Sequence, residues 1–204
     1  MMYCRFRLVA ALLLVLGSLM PARAATADIG AMQFISSLGD QALQVVRGNM
    51  APSEKLTYFH ETLNRDFDMP EISRFVLGPY WRVATPFQHQ EFIRLLSDDL
   101  VRFYRGHFTR YEGETFRVTG SRPDPAGTIV TSEILRPNGA PIEVDWQLRA
   151  QGGLYKISDV IIDGVSMALS ERETFARQIR ATGGQVGVLL ARMQQEDRGL
   201  LGSP

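Results

Sequence analysis

The sequence predicts an α+β fold, with N-terminal helices, a four-stranded antiparallel sheet and two C-terminal helices. Three observations carry this. Up to Tyr111 apolar residues recur at helical spacing. From Thr115 to Ile162 the period drops to two, in runs divided by short turns. After Asp163-Gly164 helical spacing returns. A chain that is 45% hydrophobic and 22% charged has an ordinary globular composition.

The first residues read as a leader. Arg5 and Arg7 supply a positive region, Leu8 to Leu19 an apolar one, and Ala22-Arg23-Ala24 a cleavage site. The apolar run is shorter than the roughly 20 residues a membrane helix needs. Ala25 follows the cut, not the cysteine of a lipoprotein. The expected division is a signal peptide at 1–24, one domain at 25–195 and a disordered tail at 196–204. Cleavage removes Cys4, the single cysteine, so no disulfide or thiolate metal ligand is expected. It also removes Arg5, Arg7 and Arg23, leaving 19 of the 22 basic residues against 22 acidic. No basic face for nucleic acid is expected. The expectation is an exported, soluble, periplasmic protein.

The helices follow in order. Ile29, Met32, Ile35, Leu38, Leu43 and Val46 form one stripe within Asp28 to Asn49. Pro52-Ser53 opens a second helix, from about Glu54 to Asn64. Asp68-Met69-Pro70-Glu71 has the capping-box pattern and starts a short helix that stops at Gly78-Pro79. Thr85-Pro86-Phe87-Gln88 is a second box, opening the longest helix, from Pro86 to about Phe108. Its stripe is Phe92, Leu96, Leu100, Phe103 and His107.

Four strands are expected: Thr115 to Thr119, Thr128 to Leu135, Ile142 to Leu148 and Leu154 to Ile162. Short turns, including Pro137-Asn138-Gly139 and Gly152-Gly153, make them antiparallel. In the third strand Ile142, Val144, Trp146 and Leu148 form a dry face, and Glu143, Asp145, Gln147 and Arg149 a wet one. A third capping pattern, Ser170 to Glu173, starts a helix to Ala181, and a last helix covers about Gln185 to Gln195.

Motifs for chemistry are few. Gly164-Val165-Ser166-Met167-Ala168 approximates a hydrolase nucleophile elbow, but His60, His89 and His107 all precede the serine. The plainer reading is a tight strand exit, with Val165 and Met167 entering the core. The histidines lack metal-ligand spacing, and no metal or cofactor is expected. Asp145, Asp159 and Asp163 lie on or beside strands. An acid of this kind in a pocket supports the alternative of a small periplasmic isomerase. Phe75-Val76-Leu77-Gly78-Pro79-Tyr80-Trp81-Arg82 gathers large apolar side chains around a Gly-Pro break. With Phe92, Leu96, Leu100, Phe103, Trp146 and Met167 it suits either a solid core or an elongated apolar cavity.

Three stretches carry a family resemblance: FVLGPYWRVATPFQHQEF (Phe75 to Phe92), RPNGAPIEVDWQLR (Arg136 to Arg149) and the run from Tyr155 to Met193. LGxYWRxATP and DGVSM followed by Thr182-Gly183-Gly184 are its most specific pieces. The chain resembles the MlaC/toluene-tolerance family, periplasmic auxiliary components of phospholipid-trafficking ABC transporters, and also that family's hopanoid-associated branch (HpnM). The resemblance implies helices and an antiparallel sheet enclosing an apolar lipid pocket. It implies a shuttle without catalysis, whose partners are a phospholipid or other amphiphile, an inner-membrane MCE-type transporter subunit and an outer-membrane lipoprotein complex. Facing and resemblance together give the expected lining. It comprises Phe75, Leu77, Tyr80, Trp81, Phe92, Leu96, Leu100, Phe103, Val118, Val144, Trp146, Ile157, Ile161, Val165 and Met167.

Overall fold

The computed structural model describes residues 27–104 and 111–201. The expected signal peptide at 1–24 and His107 lie outside the described residues.

Helix α1 (Ile29–Arg47) starts at Asp28, whose carboxylate accepts the Ala31 amide and satisfies one of the orphan donors of the first turn. Helix α2 (Pro52–Asp66) has Pro at its start, and the Glu54 carboxylate accepts the Ala51 amide at 2.7 Å. Helix α3 (Met69–Leu77) is capped by Asp68, as its sequence predicts. The reciprocal half of that box is absent: the Asp68 amide donates to Ile157 O at 2.8 Å, and Glu71 pairs with Arg74. Gly78, at φ 58 and ψ −128, takes a conformation closed to other residues and turns the chain into a 3-10 turn, Gly78–Arg82. Helix α4 (Pro86–Tyr104) opens on a complete capping box between Thr85 and Gln88.

Strands β1 (Thr115–Asp124), β2 (Gly127–Leu135), β3 (Ile142–Gln151) and β4 (Leu154–Ile162) form an antiparallel meander. A two-residue strand, β5 (Val165–Ser166), follows β4 and makes the sheet five-stranded rather than four. Helix α5 (Met167–Ala181) starts at Ser166, one turn before the Ser170 expected from sequence. Two acceptors compete for the role of cap, and Ser166 prevails because Asp159 holds its hydroxyl. Helix α6 (Val186–Leu201) continues through the segment expected to be a disordered tail from Glu196. Arg192 pairs with Glu196 one turn on, and Asp197 reaches Arg94 of α4, which supports the extension.

The apolar interior falls into two clusters. The larger is helical: Leu63, Val76, Leu77, Phe92, Leu96, Phe175, Ile179 and Leu189 are among its buried members. Phe92 and Phe175 meet edge to face, with centroids 5.3 Å apart. The smaller lies between α1 and the sheet, where Ala31, Ile35 and Leu38 pack over Val130, Leu148 and Ile157. Phe67, between α2 and α3, borders both clusters. Helix α1 packs mainly over β1 and β2, whereas α2, α3 and α5 meet the sheet at β4. The apolar face of β3 and β4 therefore lies between α1 and the helical cluster.

Candidate functional site

Pairing fixes which side chains share that face. Ser132 sits opposite Val144, Val130 opposite Trp146 and Ile134 opposite Ile142, while Leu148 faces Ile157. Between Leu148/Ile157 and Gln147/Asp159 the register shifts, leaving Ser158 as the extra residue of a bulge. Beyond it Val160 pairs with Trp146 and Ile162 with Val144. The face is thus Val118, Ser132, Ile134, Ile142, Val144, Trp146, Val160 and Ile162, running on from the packed patch under α1.

Its exposure is uneven. Val130, Leu148 and Ile157 under α1 are buried, and so is Val144. Val118, Ile134, Ile142, Trp146, Val160 and Ile162 are only half-buried, although they point to the apolar side of the sheet. A polar anchor holds the middle of this surface. Trp146 Nε1 donates to Ser132 Oγ at 2.8 Å, and the buried Ser132 hydroxyl reaches Val144 O at 3.2 Å. The indole is fixed in orientation with its donor satisfied.

The fifteen expected lining residues do not form one wall. Val118, Val144, Trp146 and Ile157 share the sheet face. Leu77, Phe92 and Leu96 are almost fully buried within the helical cluster and fill core. Tyr80, Trp81 and Leu100 are partly buried against that cluster. Phe75 is 38% and Phe103 66% exposed. Met167 is half-buried at the first position of α5.

Two expectations are corrected. Ile161 lies on the opposite, wet face, paired with Asp145, because the bulge at Ser158 inverts the alternation after Ile157. Val165 is 55% exposed on the edge strand β5 and does not enter the core. Sequence reasoning missed Val160 and Ile162, which replace Ile161. The only hint was Ser158-Asp159, two polar residues in succession where alternation allows one.

The carboxylates of the isomerase alternative are structurally committed. Arg122 clamps Asp145 with two hydrogen bonds, 3.2 and 2.6 Å, and Thr131 adds a third. The Arg122 guanidinium holds the Asp145 carboxyl below the usual carboxylate range. Asp159 accepts the Val160 and Ala168 amides and the Ser166 hydroxyl, tying β4 to the start of α5. Ser166, the elbow-like serine, thus caps a helix and bonds an acid. His89 stacks on Trp81 with ring centroids 3.8 Å apart and contacts its carbonyl, while His60 lies 3.4 Å from Asp98.

A separate open depression of about 390 Å³ lies on the outer side of the helices. Arg74, Phe75, Gly78, Pro79, Trp81, Arg82 and Arg172 line it, and the Arg172 guanidinium sits 4.9 Å over the Phe75 ring.

Comparison with known proteins adds to this geometry. Residues 37–195 match the family model described as MlaC protein. The toluene tolerance protein ttg2D of Pseudomonas putida is 28% identical over 134 residues, which cover 63% of this chain and 62% of that protein. The chain thus spans less than two thirds of that relative's length. A solved structure of a phospholipid-binding protein from Ralstonia solanacearum, in complex with a phospholipid, superposes with a TM-score of 0.71 at 22% identity. The match covers 86% of this chain and 99% of that one, so the two share a fold. With residues 37–195 matched, well over half of the sequence, the chain belongs to the MlaC protein family.

Proposed function

We propose that this protein is a periplasmic lipid carrier, holding the acyl chains of a phospholipid or a hopanoid-type lipid against the apolar face of β3 and β4. The observation that carries the reading is the half-open state of that face. Trp146, Val160 and Ile162 point to the apolar side of the sheet and stay half-buried among the described residues, Trp146 and Val160 at the edge of the α1 cluster, whereas Val130 and Leu148 are fully buried under α1. Exposed apolar surface bordered by packed core is the usual form of a ligand groove. Family membership and the fold shared with a phospholipid-binding protein support the same reading.

The energetics suit a carrier. Each buried methylene contributes about 0.8 kcal/mol, so two acyl chains of roughly 30 methylenes gain on the order of 25 kcal/mol over water. Observed affinities saturate near about −20 kcal/mol, so retention needs no strong head-group clamp. A bilayer offers equal burial, so release depends on a partner deforming the groove. In this reading the cargo passes between an outer-membrane lipoprotein complex and an MCE-type subunit of an inner-membrane ABC transporter. No chemical step is required, consistent with the structural employment of Asp145 and Asp159.

The test is displacement of a fluorescent phospholipid. Val144→Trp, which fills the space beside Trp146, should lower occupancy while the circular dichroism spectrum is retained. Unchanged occupancy in the folded variant would place the lipid elsewhere.

A further inference from the structure

The depression around Phe75 is not used by the groove. Its lining side chains come from α3, the 3-10 turn and α5. The same elements contribute Val76, Leu77, Phe175 and Ile179, each at most 2% exposed, to the helical core. Its rim is cationic. Arg74 is committed to Glu71 by two hydrogen bonds, 2.8 and 2.6 Å. Among the described residues neither Arg82 nor Arg172 has a carboxylate partner, and Arg172 is held in place by stacking on Phe75. Glu71, which pairs with Arg74, also takes Arg149. Just along the chain, Val83 and Phe87 are 73% and 77% exposed.

We infer that this surface docks an acidic segment of a partner protein, whose carboxylate enters the depression between Arg82 and Arg172 and whose apolar side chains cover Phe75, Val83 and Phe87. Arginine and aromatic residues in a concave, pre-ordered setting are the composition of interaction hot spots. A planar guanidinium stacked on a ring is already ordered, so it loses little freedom when it takes a carboxylate bidentately. Charge complementarity selects the acid, because Arg82 and Arg172 both line the depression and neither is in an ion pair with a carboxylate among the described residues. The concave shape favours an inserted side chain over a flat anionic bilayer. The inference stands whether or not the sheet groove carries lipid.

The experiment titrates the ¹⁵N-labelled protein with a synthetic peptide rich in Glu and Phe, with its Gln counterpart, and with phosphatidylglycerol vesicles. The Glu peptide should shift the Gly78 amide and the Trp81 indole, and the Gln peptide should bind about ten-fold more weakly. Arg82→Ala with Arg172→Ala should weaken the Glu peptide by at least about ten-fold, because both charge-assisted bonds to its carboxylate are lost. Arg82→Ala alone removes an exposed side chain that has no carboxylate partner among the described residues, and should keep the fold while reducing affinity several-fold. Equal binding of the two peptides, or of the wild type and the folded variants, would overturn the inference. So would arginine-dependent binding to the vesicles in place of the peptide.

Discussion

The hydroxyl of Tyr155 donates to Asp28 Oδ1 at 2.7 Å, joining the beginning of β4 to the cap of α1. The same carboxylate receives the Ala31 amide and the Thr128 hydroxyl, and the Asp28 amide donates to Ser121. One residue therefore ties α1 to β1, β2 and β4. That placement decides which part of the apolar face α1 covers and which part it leaves open.

Asp28→Ala removes a helix cap and strands two hydroxyls. It should lower stability by about 1–3 kcal/mol in urea unfolding. Tyr155→Phe removes one of several bonds to that carboxylate and should cost about 1 kcal/mol.

The contribution of Asp28 should depend on pH. Burial pushes its carboxyl up, but hydrogen bonds from the Ala31 amide, Tyr155 and Thr128 together outweigh burial and leave it below the ordinary range. A lowered folded value means stability that is fully present above the unfolded value, about 3.9, and is lost as pH falls through the folded value. The stability gap between wild type and Asp28→Asn should therefore be constant near neutrality and shrink below about pH 4. A gap that widens on acidification would contradict this.

The bulge at Ser158 gives a facing test. Val160→Lys puts an ammonium on the apolar face and should lower both melting temperature and lipid occupancy. Ile161→Lys, on the other face opposite Asp145, should cost no more than about 1 kcal/mol and leave occupancy unchanged. The reverse order would restore the simple alternation.

Asp145→Asn and Asp159→Asn separate carriage from catalysis. The pair with Arg122, half-exposed on the arginine side and 14% exposed on the acid side, contributes about 1 kcal/mol, and Asp159→Asn weakens the start of α5 by a similar amount. Neither should change lipid content. An isomerase turnover that is lost in either folded variant would revive the catalytic reading.

Much of the architecture was legible because it is local. The period of two in Ile142 to Leu148 identifies the dry face, and Thr85 with Gln88 forms the box its spacing announces. Failures arose where a distant group decides. Ser166 rather than Ser170 caps α5 because Asp159 lies beside it in space. Ile161 faces the wrong way because one extra residue is absorbed in the ladder, which no periodicity count detects. Phe92 and Leu96 have the stripe of a cavity wall, but that stripe is packed into the helical cluster, together with Leu77 of α3. An apolar side chain is the same whether its neighbour is a protein or a lipid.

The central claim is tested most directly by native mass spectrometry of the protein purified from its own periplasm without detergent. The account predicts a folded species heavier than the bare chain by the mass of one lipid, with that lipid recovered by organic extraction and its adduct lost in Val160→Lys. A preparation that is wholly lipid-free, or an adduct that persists undiminished in Val160→Lys, would contradict it.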